Sequence, residues 1–200
     1  LYNHRFEKSL PLAAGRTIAD GISVKEPGRL TRAIIDRLVS DIVLVDEPHL
    51  EQAILLLLEI EKTVVEGAGA ASLAAVLADP ERFRRRRVGL VLTGGNIDSR
   101  LLSAVIMRGL VRSERLIRLA VLVPDSPGSL ARLTRLIADA RGNGLEETHK
   151  RAFSRGSVRD AIVDFVIETR DARHATQIEA ALAAAGFRVE LTERAGPGFA

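Results

Sequence analysis

The apolar rhythm of this 200-residue chain changes character near residues 111–115, and that break constrains the fold more than any other feature. Upstream of it, helical periods alternate with short apolar runs. After Pro27-Gly28, the residues Leu30, Ile34, Ile35 and Leu38 recur at helical spacing and predict an amphipathic helix to about Ser40. Ile42-Val43-Leu44-Val45 is a short run of strand type, after which Asp46 caps a helix with Pro48 in its first turn. That helix is predicted to reach about Val65 and to be buried, because its middle is apolar around most of its circumference. Glu66-Gly67-Ala68-Gly69-Ala70-Ala71 opens an Ala-rich helix that ends near Asp79-Pro80. Val88–Leu92 reads as a buried parallel strand feeding the turn Thr93-Gly94-Gly95-Asn96, with a further helix from about Asp98 to Leu110. This order is α/β logic, a partial parallel sheet covered by helices, and it predicts a first module over residues 1–111. Residues 1–22 show no sustained period.

Arg112, Ser113, Glu114 and Arg115 interrupt the apolar pattern, and a different order follows. Leu116–Val123 alternates as a strand, Asp125-Ser126-Pro127-Gly128 is a turn, and Leu130, Leu133, Leu136 and Ile137 mark a helix to about Arg141. Strands are expected around Leu145–Phe153 and Ala161–Thr169, with a long loop over Ser154–Asp160. A helix over roughly Arg173–Ala185 and a last strand at Phe187–Leu191 complete a βαββαβ series over residues 115–193, the ferredoxin-like arrangement.

Composition narrows the chemistry. Without Cys, disulfides, thiolate metal sites and Cys nucleophiles are excluded, and a reducing cytoplasm is the matching expectation. No apolar run approaches the ~18 residues of a membrane span; Ala53–Leu58 is bracketed by Glu51 and Glu59. The sequence opens at Leu1 with no signal-like segment, so it is expected to begin inside a longer gene product. The net charge is only +3, because 29 basic residues meet 26 acidic ones. The cluster at Arg82 and Arg84–Arg87 has no interleaved aromatic residues to stack bases, so nucleic acid is rejected as a partner. His4, His49, His149 and His174 lack ligand spacing and are read as surface positions, and no metal site is assigned.

The local feature with most chemical content is Thr93-Gly94-Gly95-Asn96. At the carboxyl end of a strand in an open α/β sheet, such a turn lies where ligands bind. Its glycines would let a flat ligand lie against backbone, and the Thr93 hydroxyl can donate or accept; a plain strand-to-helix turn has the same sequence. In the second module, Pro127 sets the turn and Gly128 lets backbone approach a ligand. The free N–H groups of the helix that follows can then receive a carboxylate.

Thr17-Ile18-Ala19-Asp20-Gly21-Ile22, Pro27-Gly28, Val65-Glu66-Gly67-Ala68-Gly69-Ala70 and Leu92-Thr93-Gly94-Gly95-Asn96-Ile97-Asp98 resemble successive landmarks of the threonine/serine dehydratases. These are pyridoxal 5'-phosphate (PLP) enzymes of fold type II, the tryptophan synthase beta-like fold, and the resemblance covers about residues 15–111. It implies that Thr93 hydrogen-bonds the pyridine nitrogen of PLP with Gly94, Gly95 and Asn96 beside it. It also implies that Glu66 stands at a helix start near the cofactor and that Asp20 and Gly21 line the substrate side. A helix-start Glu also serves as a cap or dipole partner. The family's Schiff-base lysine, in an S-x-K-x-R-G motif, and its phosphate-binding glycine run are absent, so no catalytic residue is assigned. Ser23-Val24-Lys25 echoes the motif, but Glu26-Pro27-Gly28 follows.

Val123-Pro124-Asp125-Ser126-Pro127-Gly128-Ser129-Leu130 resembles the D-x-P-G-x-L signature of ACT domains. Asp125, Gly128, Leu130 and Asn143 are then the expected effector-binding residues, with Asn143 acting across a domain pair; Gly142-Asn143-Gly144 is also good turn chemistry. Together the resemblances imply the C-terminal part of a threonine dehydratase. The complete enzyme would convert L-threonine, or L-serine, to a 2-oxo acid and ammonia. An amino-acid effector, isoleucine or valine, would control it in a cytoplasmic homodimer or homotetramer. The alternative is a truncated, non-catalytic amino-acid-binding module.

Overall fold

The computed structural model describes residues 17–24, 26–151 and 157–193. It divides into two compact units, Leu1–Ile106 and Met107–Ala200. No helix among the described residues is long and apolar enough to cross a membrane.

The first unit is helical wherever it is regular. A short 3-10 turn, Asp20–Ile22, precedes α1 (Arg29–Leu38), α2 (Glu47–Glu59), α3 (Gly67–Ala78), α4 (Pro80–Phe83) and α5 (Ser99–Arg112). Asp46 caps α2 as expected, its carboxylate accepting the His49 N–H at 3.1 Å and also meeting the His49 ring. Burial works to raise the Asp46 pKa, but the hydrogen bonds and charge of His49 outweigh it and hold the carboxyl below its usual value. The helix stops at Glu59, six residues before the expected Val65, where Lys62 takes a left-handed conformation (φ 55°). The core is small and aliphatic. Leu50, Ala53, Ile54 and Leu57 of α2 pack with Ala70 and Ala74 of α3, Val65, Ala19 and Val105.

The expected parallel sheet is not formed: among the described residues of this unit there is no strand, and Ile42–Val45 and Val88–Leu92 have no ladder partner. A strand exists only beside a neighbour that takes its backbone N–H and C=O groups, and none of the described segments forms such a ladder with either one. Val88–Leu92, expected to be buried, instead carries exposed side chains, Val91 to 73%. Helix α1 forms as predicted and is amphipathic, yet none of its residues is buried; Leu30 is 80% exposed.

The second unit contains β1 (Leu116–Pro124), α6 (Ser129–Asp139), β2 (Asn143–Lys150), β3 (Asp160–Glu168), α7 (Ala172–Ala184) and β4 (Arg188–Glu193). The four strands form one antiparallel sheet of order β2-β3-β1-β4. Alternate residues of the two central strands, Ile117, Leu119, Val121 and Val123 with Ala161, Val163, Phe165 and Ile167, turn one sheet face into a core. Leu133 and Ile137 of α6 and Ala175, Ile178 and Leu182 of α7 close over it. Gly142 is required at the end of α6, because a Cβ there would press on Ile178 at 2.9 Å and Ile137 at 3.0 Å.

His174 corrects the reading of the histidines as surface groups: it is only 2% exposed. Its Nε2 donates to the Ala140 carbonyl at 2.8 Å while Nδ1 accepts the Arg170 N–H at 3.1 Å, so one ring ties the end of α6 to the start of α7. The signal was hidden because a His on a helix face has no period of its own. Replacement His174→Leu strands both backbone groups and is expected to lower the unfolding free energy by about 1–3 kcal/mol. Urea unfolding of the two proteins measures this; equal midpoints would contradict it.

Candidate functional site

Three of the four sequence landmarks converge on the first turn of α3. The sequence Glu66-Gly67-Ala68-Gly69 makes this possible by omitting side chains at two positions. A Cβ on Gly67 would collide with the Ile18 carbonyl, and one on Gly69 would collide with the Thr93 carbonyl. So the Thr17–Ala19 segment and the Thr93 turn each lie against the backbone of one helix end. The Ile18 N–H also donates to Glu47 Oε2 at 3.0 Å, and the Ala19 N–H to the Thr17 hydroxyl at 3.1 Å. These bonds place Asp20 and Gly21, both exposed, beside α3; a Cβ on Gly21 would meet that of Ala68 at 3.1 Å and Glu66 Oε1 at 3.6 Å. The fourth landmark, Pro27-Gly28, supplies the cap position of α1; a Cβ on Gly28 would touch only the nearby Thr31 hydroxyl.

Glu66 joins the two sides. Its N–H donates to the Gly94 carbonyl at 3.3 Å, and its Oε2 accepts the Asn96 N–H at 3.1 Å. The side chain forms no capping bond to its own helix, although the residue holds the cap position. Asp98 then caps α5 through the N–H groups of Arg100 and Leu101, which fixes where the turn ends.

Thr93, Gly94, Gly95 and Asn96 are all solvent-exposed. The Thr93 hydroxyl forms no hydrogen bond among the described residues, so it is available to a ligand. The glycines also answer a need of the chain's own packing. Gly94 is left-handed (φ 81°), and a Cβ there would lie 2.5 Å from Glu66 Oε1; a Cβ on Gly95 would lie 2.8 Å from the Val64 carbonyl. Their bareness makes room for the Glu66 carboxylate and the Val64 carbonyl. The turn also does not stand at the tip of a strand, since Val88–Leu92 is unpaired.

A cleft of about 380 Å³ lies in the second unit at the turn between β1 and α6. It is lined by Val123 through Leu130 together with His149 and Arg151. Gly128 is left-handed there (φ 90°), which turns the chain into α6. Arg151 Nε donates to Asp125 Oδ2 across the cleft at 2.9 Å. Asp125, Gly128 and Leu130 are thus brought together, and Asn143 is not. It begins β2, roughly 20 Å of strand from His149, and its Nδ2 donates to Glu168 Oε2 at 3.1 Å. His149 and Arg151 were missed. Their spacing of two puts both on one side of an extended strand, the signal that could have found them.

The chain matches the family model described as pyridoxal-phosphate dependent enzyme over residues 2–94. It is 38% identical to an L-threonine ammonia-lyase of Thermotoga maritima and 41% identical to one of Geobacter sulfurreducens, each over 88% of this chain. The chain is thus similar to these L-threonine ammonia-lyases over most of its own length. It spans less than half the length of those relatives, 43% and 44% respectively. Among solved structures, a threonine deaminase from T.th. is 38% identical over 48% of this chain and 35% of its own, with a TM-score of 0.43. Maize serine racemase is 31% identical over 54% of this chain and 34% of its own, also with a TM-score of 0.43.

Pyridoxal phosphate is the cofactor that the matched family model names. The first site fits one edge of such a group: an exposed, unengaged hydroxyl on a turn clamped from behind suits a neutral ring nitrogen as its partner.

Proposed function

We propose that this chain forms the C-terminal part of a PLP-dependent threonine (serine) dehydratase that converts L-threonine to 2-oxobutanoate and ammonia. The observation that carries the reading is the convergence of Thr17–Gly21, Glu66–Ala70 and Thr93–Asn96 on one helix end, with the Thr93 hydroxyl unengaged among the described residues.

In this reading Thr93 holds the ring nitrogen with its hydroxyl, and Gly94, Gly95 and Asn96 shape the turn that presents it. When bound, pyridoxal phosphate supplies the electron sink that lets the substrate lose its β-hydroxyl as water. A hydroxyl partner, unlike a carboxylate, leaves the ring nitrogen unprotonated, which tempers that sink and favours elimination over transamination. Asp20 and Gly21 border the same helix end and are assigned to the substrate side.

We assign the second unit as an ACT domain of ferredoxin-like topology. Its βαββαβ order and the cleft on the Asp125–Leu130 turn support this. The cleft is large enough for one amino acid, with apolar Val123 and Leu130 beside Asp125 and Arg151. Isoleucine or valine is the proposed effector, with Asn143 contributed by the second copy in a homodimer or homotetramer. Cytoplasmic location belongs to the same proposal.

In the complete dehydratase, Thr93→Ala is expected to lower 2-oxobutanoate formation about ten- to a hundredfold. Thr93→Ser retains most of it, and neither change alters the unfolding midpoint, because the hydroxyl holds nothing inside the protein. Unchanged turnover in Thr93→Ala would contradict the assignment. For the second unit, calorimetric titration with isoleucine and with valine is expected to show affinity reduced about tenfold or more in Arg151→Ala. Equal affinity in parent and variant, or no binding of either amino acid, would contradict the effector cleft.

A further inference from the structure

The resemblance places Glu66 among the groups near the cofactor, and a helix-start Glu is otherwise expected to cap its own helix. Glu66 does not cap its own helix. Its side chain forms no bond to the first turn of α3, and Oε2 reaches instead across thirty residues of sequence to the Asn96 N–H at 3.1 Å. On the other edge of the turn, the Glu66 N–H donates to the Gly94 carbonyl at 3.3 Å. One residue therefore grips the turn through both its main chain and its side chain, at positions two apart.

We propose that Glu66 is a positioning residue, a strap whose carboxylate sets the conformation of the Thr93–Asn96 turn and so the aim of the Thr93 hydroxyl. Three further observations support it. Gly94 is left-handed, and the space its Cβ would occupy is filled by the Glu66 carboxylate, 2.5 Å to Oε1 and 2.8 Å to Cδ. The turn and the carboxylate thus fit only as a pair. The Thr93 carbonyl lies directly on Gly69, so the residue before the strap is clamped from the helix side. Gly95 in turn lies against the Val64 carbonyl, two residues before Glu66, so the neighbouring backbone helps to fix the same turn. A carboxylate is a stronger acceptor than a neutral group, and it holds a segment whose side chains are otherwise exposed.

That Thr93 meets a cofactor ring rests on the proposed function; the strap does not, and the test separates them. In the full chain without cofactor, the Asn96 amide proton is followed by NMR across the carboxylate titration range. In the parent protein its chemical shift follows the ionisation of Glu66, and in Glu66→Gln that dependence is lost. Exchange of the Asn96 amide with solvent is about tenfold or more faster in Glu66→Ala. Glu66→Gln, which keeps an acceptor oxygen, restores much of the protection, while amides in the middle of α3 exchange alike in all three proteins. An Asn96 resonance indifferent to Glu66 in the parent would overturn the strap, whether or not the variants fold. Unchanged exchange in a folded Glu66→Ala would overturn it equally. Should the strap behave as described while Thr93→Ala leaves turnover intact in the complete enzyme, the aim assigned to Thr93 is overturned and the strap alone stands.

Discussion

The first unit depends on one close approach, that of two foreign backbone segments to the start of α3. Side chains at a helix end hold neighbouring segments away. Gly67 and Gly69 have none, and the Ile18 and Thr93 carbonyls lie where their Cβ atoms would be. Everything assigned to the site follows from that contact. Asp20 and Gly21 are neighbours of Ile18, Glu66 begins the helix, and Asn96 ends the turn that Thr93 opens. A larger residue at either glycine would push a whole segment away, and no rotamer change could absorb it, because the obstacle is main chain.

The second unit uses a different strategy. Its core is an alternating sheet face closed by two helices, and the cleft on the β1–α6 turn lies at the edge of that frame. Rigidity comes from beneath. Gly142 lets α6 end tight against Ile178, and His174 fastens the Ala140 carbonyl to the opening of α7. A loop that binds a small molecule gains affinity when its frame is already ordered, since less freedom is lost on binding. The Asp125–Arg151 pair presents opposite charges to the same space, as an amino-acid zwitterion would require.

Much of this was legible in the sequence. The break at residues 111–115 falls a few residues beyond the observed division, within and just past α5, because one continuous helix spans it and the apolar pattern ends with the helix rather than with the unit. Alternation in Leu116–Pro124 and Asp160–Glu168 is faithful because one face of each strand is fully buried. The Gly-Gly turn and the Glu66 segment were found by their resemblance, and the structure brings them together. The parallel sheet was not recoverable in the same way. An apolar run such as Val88–Leu92 signals a strand only if a partner completes the ladder, and local sequence cannot state whether one is present. His174 lay beyond reach for a related reason, since a single polar residue acquires its role from what folds against it.

The most direct measurement is an experimental structure of the complete enzyme with pyridoxal phosphate bound. The account predicts the ring nitrogen within about 3 Å of Thr93 Oγ1, with the Asn96 amide still held by Glu66. A ring nitrogen facing another group, or a Thr93 hydroxyl turned away into the protein, would contradict it.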